Sequence, residues 1–148
     1  MSDLFGVAST APVALTAATA KTAVQIQAVT NHRVKVTGWA VYFDGIASTA
    51  VPIRARLVRQ TTAGTMSVLT LVKTANRPET LLTTGTSNAA AEPTLGDVVD
   101  IALVHPQQGY EVKFTPGQEI IVGGGERIGI EVNAPAAVNV TAKIFFEE

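Results

Sequence analysis

The sequence predicts an all-β protein, an antiparallel β-sandwich of jelly-roll-like form, and three observations lead there. The last third of the chain alternates with a period of two. Ile128, Ile130 and Val132 fall on one side and Arg127, Gly129 and Glu131 on the other, and Val138, Val140, Ala142, Ile144 and Phe146 repeat the inward pattern. Successive strand side chains point to opposite faces, whereas a helix repeats every 3.6 residues. Eight or more such segments follow one another at a spacing of about 8–12 residues, as in sandwiches and jelly rolls. No segment combines helical periodicity with capping residues at its ends.

Residues 1–21 are rich in Ala, Thr and Ser, with one apolar cluster at Leu4, Phe5 and Val7. Leu and Phe are costly to leave in water. The stretch therefore reads either as an extended N-terminal arm packed on something else or as a loosely ordered terminus. An arm of this kind, residues 1–10 included, would be dispensable for folding, leaving 22–148 as a single sandwich domain.

Thr22–Val29 alternates, with Val24, Ile26 and Ala28 inward against Ala23, Gln25 and Gln27. Thr30-Asn31-His32 supplies the following turn. Arg33–Phe43 carries the longest strand signal. Val34 and Val36 face inward at first; after Gly38 both faces become apolar, with Trp39, Val41 and Phe43 on one and Ala40 and Tyr42 on the other. A glycine inside a strand marks a bulge or a close approach. A strand apolar on both faces is covered on both, here by a loop, by the arm or by a neighbouring subunit. Trp39, Val41 and Phe43, together with Arg54 and Arg56, are thus the candidate oligomer or partner interface.

Asp44-Gly45 opens a loop that runs to Val51, and Pro52 starts a strand where its missing N–H is tolerated. Ile53, Ala55 and Leu57 face the core, with Arg54 and Arg56 outside. Residues 61–65 turn the chain, and Met66–Lys73 is a further β-rich run. The long Thr/Ala/Asn/Gly/Pro segment 75–93 reads as a crossover between sheets with a weak strand near 81–84. Val98–Val104 is a strand ended by the turn 105–109, and Tyr110, Val112 and Phe114 share one side of the next. Pro116-Gly117 is a tight turn, Glu119–Val122 a short strand, and Gly123-Gly124-Gly125 a turn before the last two strands.

The 148 residues fit one domain, which buries roughly 70% of the surface that the unfolded chain exposes. There is no cysteine, so neither a disulfide nor a thiolate metal site is possible. Eleven Lys and Arg against twelve Asp and Glu leave a net charge of −1, without the basic excess that nucleic-acid binding needs. Charged residues make up only 16%, against about 25% in typical soluble domains. A chain so sparsely charged and so near neutrality tends to associate. No apolar stretch reaches membrane-spanning length. The first basic residue is Lys21, so the positive start of an export signal is missing.

No catalytic or metal site is expected. His32 and His105 each stand alone at a turn, whereas metal sites need convergent ligands. Ser2, Ser9, Ser48, Ser67 and Ser87 fall mostly in loops or the arm, and no Gly-x-Ser-x-Gly elbow occurs. The triple glycine lacks the Lys-Ser/Thr pair and the helix of a phosphate loop. Asp97 with Asp100, or Glu119 with Glu126, fall short of the compact acidic loop that calcium requires, and read as solvated strand ends. Arg54 and Arg56 could pair with carboxylates of a partner; a cross-strand partner such as Glu131 is favoured. Trp39 alone, in a chain with 5% aromatics, makes a poor sugar platform.

The run from Gly38-Trp39-Ala40-Val41-Tyr42-Phe43 to Asp44-Gly45, the stretch Pro52–Thr65, and the tail from Tyr110 through Gly117-Gln118-Glu119 to Phe146-Glu147-Glu148 resemble small proteins encoded near the capsid genes of tailed bacteriophages. The resemblance is to capsid decoration, or cement, proteins, and covers most of the chain. It implies a jelly-roll-like sandwich, a homotrimer over junctions between capsomers, and the major capsid protein as partner. It also implies a place on the capsid exterior of the virion after synthesis in the host cytoplasm, with no enzyme activity and no cofactor. Leu4, Phe5 and Val7 would then be a capsid-binding arm. The competing expectation is a carbohydrate- or receptor-binding head of a fibre or spike, marked by exposed aromatics or a loop metal; an enzyme ranks third.

Overall fold

A computed structural model describes residues 4–45 and 51–148; Ser2, Ser48 and most of the loop expected after Asp44 lie outside the described residues. Among them, two antiparallel sheets pack against each other as a β-sandwich. One sheet contains β1 (Phe5–Ser9), β2 (Val13–Leu15), β4 (Val34–Phe43), β7 (Val72–Lys73), β10 (Gly109–Lys113), β11 (Ile120–Val122) and β13 (Val138–Glu147). The other contains β3 (Ala20–Gln27), β5 (Ile53–Gln60), β6 (Thr65–Leu69), β8 (Thr84–Ala91), β9 (Leu95–Val104) and β12 (Arg127–Asn133).

The connectivity is that of one long antiparallel ribbon rolled on itself. β1 pairs with β13, β3 with β12, β4 with β10 and β11, and β5 with β9. Rolling that ribbon sets β1–β13–β4 in one layer and β3–β12–β5–β9 in the other, which is jelly-roll connectivity. The far end of the ribbon, between β5 and β9, carries β6, β7 and β8. They extend the sheets, β8 and β6 beyond β3 and β7 beyond β1.

The core is built from the residues whose alternation the sequence displays. Val24, Ile26, Ile53, Leu57, Ile128 and Ile130 from one sheet meet Val36, Trp39, Val41, Ile144 and Phe146 from the other, all shielded from solvent. Tyr110, Val112 and Phe114 pack against this core from its edge, on the shared side expected for them. At Gly38 the register with β13 slips: Phe145 lies opposite Gly38 and Phe146 opposite Val36. The extra residue moves the inward set from even to odd positions, which is why Val34 and Val36 give way to Trp39 and Val41. A Cβ at Gly38 would also lie 2.4 Å from the Val112 carbonyl oxygen, so the close approach is real as well. The triple glycine is a turn, and Gly125 holds φ +81°, a value that L side chains rarely adopt.

Three expectations change. The segment read as an arm is strand β1, held between β13 and β7. Leu4 and Ala8 are buried, and Leu4 exchanges backbone hydrogen bonds with Glu148. Removing residues 1–10 would therefore strip a strand from the sheet and uncover β13, so the stretch belongs to the domain. Its short Ala- and Gly-containing sequence gave little sign of this, because what makes it a strand is the free edge of β13. The run 66–73 divides into β6 and β7, which belong to different sheets. The segment 84–91 is a full strand, although Thr-Gly-Thr-Ser-Asn-Ala-Ala-Ala carries no large apolar residue to alternate.

Candidate functional site

β5 and β12 lie side by side, with Arg56 opposite Glu131 and Arg54 opposite Asn133. Alternation turns Arg54, Arg56 and Glu131 to the outer face of the sheet. There the Glu131 carboxylate is 3% exposed and one oxygen, Oε1, serves both arginines. Arg56 Nε donates to it at 3.1 Å, Arg56 Nη2 also donates to it, and Arg54 Nη2 lies at 3.3 Å. The cross-strand pairing favoured for these residues is thus present. Two guanidinium groups share one carboxylate, leaving a net positive charge, and the Arg54 Nε is buried without an acceptor. A site of this kind holds a further carboxylate well.

Next to the arginines runs β9, the edge strand of this sheet. Leu103 lies opposite Arg54, Ile101 opposite Arg56 and Val98 opposite Val58. They share the outer face, and Leu103 is 71% and Ile101 54% exposed. These residues were missed as surface. The signal was available: Val98, Val99, Ile101, Ala102, Leu103 and Val104 are apolar at both parities, as 39–43 are. In β9 the inner set (Ala102, Val104) enters the core and the outer set meets solvent.

The candidate interface residues divide. Trp39 and Val41 are fully buried in the core and form no surface, while Phe43 packs against the core from the rim. On the outer side of this strand Ala40 is buried, while Tyr42 stays exposed with the Lys143 ammonium 5.5 Å from its ring centroid. Of the proposed arm, Leu4 is buried and Val7 half-buried, and only Phe5 is exposed. Asp100 does not solvate a strand end. Its Oδ2 accepts the Trp39 indole N–H at 3.0 Å, closing the open side of the sandwich beside Tyr110, whose hydroxyl pKa is raised by burial and then by the Asp100 charge.

Gln25, Gln60 and Thr22, read as solvent-facing or left unassigned, form a buried hydrogen-bonded chain on the outer face. Gln25 Nε2 donates to Gln60 Oε1, and Gln60 Nε2 to Thr22 Oγ1. The connections on either side of β6–β8 cover them: Gln25 also donates to the Thr62 carbonyl, and the Glu92 carboxylate accepts the Thr22 N–H. Ser9, Ser67 and Ser87 sit in strands rather than loops. The Glu119 and Glu126 carboxylates accept turn N–H groups of Gly117 and Gly123. Among the described residues no cluster of His, Cys, Asp and Glu could hold a metal, and no helix is long and apolar enough to cross a membrane.

A second surface feature lies at the opposite side, where an open groove of about 330 Å³ is walled by Leu69, Leu71, Leu81 and Gly85 with Lys73 and Thr83 at its rim. The Glu148 carboxylate fixes one wall by accepting the Leu82 and Thr83 N–H groups and the Thr83 hydroxyl. Glu148→Ala is expected to lower local protection of the Leu82 and Thr83 amides by about 1 kcal/mol. Hydrogen exchange reads this directly, and unchanged rates would mean that the wall stands without the clamp.

At the far end of β4, Asp44 accepts both the backbone and side-chain N–H of Asn139. These bonds, the side-chain one first, hold the Asp44 pKa below its ordinary 3.8. A depressed carboxylate pKa stabilises the fold above the unfolded value, and the contribution fades as pH falls through the folded one. The Asn139 amide resonance is expected to titrate with a midpoint below 3.8, and Asn139→Ala to move the Asp44 midpoint back up towards that value. A midpoint unmoved by the substitution would remove these bonds as the cause.

Geometry defines this chain as a jelly-roll-like β-sandwich with a packed interior and apolar outer surface along the sheet edges. Comparison with known protein families, with characterised proteins and with solved structures gave no match to it.

Proposed function

We propose that the chain is a non-enzymatic decoration protein of a tailed-bacteriophage capsid, which binds the assembled shell and stabilises contacts between major capsid subunits. The reading rests on the resemblance to such proteins drawn from residues 38–45, 52–65 and 110–148 of the sequence. The sandwich supports it, because a jelly-roll-like fold is what that likeness implies. The exposed apolar residues of β9 support it too, since patches of this kind mark interaction surfaces. The partners in this reading are the major capsid protein and further copies of the chain, three around each junction, on the outside of the virion. No nucleic acid, membrane, metal or cofactor enters.

The mechanism is mechanical. Many weak contacts repeated by the shell's symmetry add up through effective concentration. A protein that binds the assembled shell and not its dispersed subunits shifts the equilibrium towards assembly by mass action. Co-sedimentation with empty shells of the phage concerned, followed by thermal dissociation of the loaded shells, tests this. Binding that saturates with a fixed number of copies per shell, and a higher dissociation temperature, is the expected result. Absence of binding, or binding to a glycan array in its place, would overturn it in favour of a receptor-binding head.

A further inference from the structure

We infer that the outer face of β5 and β9 is a docking surface for an extended segment of a different protein, one that carries a carboxylate between apolar side chains. The register lays out this face. Arg54 stands opposite Leu103 and Arg56 opposite Ile101, in two rows about 7 Å apart on strands about 5 Å apart. One strand thus offers two cations, and its neighbour two large apolar side chains that meet solvent.

Charge decides the partner. The Glu131 carboxylate on this face is buried, and its Oε1 is taken by Arg54 Nη2 and by Arg56 Nε and Nη2. The Nη1 group of each arginine has no acceptor among the described residues. Neither Nη1 is enclosed, since the one buried nitrogen here without a partner is Arg54 Nε. The face therefore hides its negative charge and keeps two unpaired N–H groups open to solvent. Two guanidinium groups against one carboxylate leave a net positive charge, which a second carboxylate would neutralise.

Other occupants fit less well. An isologous contact about the row of Arg56 and Ile101 sets Arg56 against Arg56, and like charges brought together in an interface are costly. A purely apolar segment would desolvate both arginines without pairing them. A phosphate backbone would leave Ile101 and Leu103 against a charged chain. In an extended segment alternate side chains point the same way at a spacing of about 7 Å, which is the spacing of the rows. A Leu-x-Glu-x-Leu pattern therefore brings its acid to the arginines with apolar side chains before and after it for Ile101 and Leu103. The approach is onto the face and not along the edge. β9 has register shifts against β5, and the Asp100 carboxylate takes the Ile101 N–H, both of which blunt that edge. This docking chemistry stands whether or not the partner is a capsid shell.

Titration of the full chain with acetyl-Thr-Leu-Thr-Glu-Thr-Leu-Thr amide, followed by NMR of the methyl and arginine Nε–H groups, tests the surface. Saturable shifts at Arg54, Arg56, Ile101 and Leu103 are expected. Glutamine in place of the peptide's glutamate is expected to weaken binding about tenfold, or about 1.4 kcal/mol, and lysine to abolish it. Leu103→Lys, at an exposed position, is expected to abolish binding with unchanged melting. Arg54→Gln leaves Glu131 its bonds from Arg56, so it is expected to keep the fold and weaken binding several-fold. Absence of saturable shifts at these residues, equal binding of the glutamine or lysine peptide, or binding untouched by Leu103→Lys would each overturn the surface. Sedimentation equilibrium supplies the remaining outcome: self-association that Leu103→Lys abolishes would give the face to a second copy and overturn the inference.

Discussion

Trp39→Ala is expected to lower the unfolding free energy by about 4 kcal/mol, as large-to-small changes of a buried aromatic do. Two losses combine. The indole fills the space between the sheets, fully buried, with its ring centroid 5.4 Å from that of Tyr110. Its N–H also satisfies Asp100, which β9 turns inward where the register with β5 shifts. Alanine leaves both a cavity and a carboxylate with a donor fewer. Trp39→Phe keeps most of the packing and removes only the donor, so about 1–2 kcal/mol is expected. Urea denaturation should show both changes as shifts of midpoint at constant slope. Equal losses for Phe and Ala would assign the whole effect to the hydrogen bond. Asp100→Asn with Trp39 intact should lower the Tyr110 pKa part of the way back, because burial, the larger cause, remains.

Glu131→Ala is expected to cost about 2–3 kcal/mol. The carboxylate is almost wholly enclosed and is the shared acceptor of Arg54 and Arg56. Its loss leaves two guanidinium groups facing each other. The arginine side chains remain 38% and 19% exposed, so water recovers part of what the acid provided and keeps the figure below that of a fully buried pair. Replacing Arg56 and Glu131 together with leucine should recover most of the loss, since removing both members leaves neither charge alone. A double variant as unstable as Glu131→Ala would show that Arg54, not Arg56, depends on the acid.

The strands that line the core were legible because large apolar residues alternate in them: 53–57, 127–133 and 138–147 fold as their patterns require. Gly38 was legible as an irregularity for the same reason, since the apolar parity changes there. β8 was not, because Thr, Ser and Ala give a strand no signature of their own and it forms by pairing with β3 and β6. The arginine–glutamate site was legible as a pair of alternating arginines with a named cross-strand partner. The β9 surface was not recognised: apolar residues at both parities signal two apolar faces, but not which of the two the other sheet covers.

Local chemistry settled that this chain would be all β and, where large apolar residues alternate with polar ones, which segments would be strands and which of their faces would enter a core, because a period of two follows from the backbone alone. Only the folded arrangement decided where each strand sits in the sheets. It made the N-terminal stretch an inner strand, hid Trp39 and Val41, and put Ile101 and Leu103 in water. Those outcomes turn on strand order, and strand order depends on pairing between residues far apart in the chain, for which side-chain alternation carries no address.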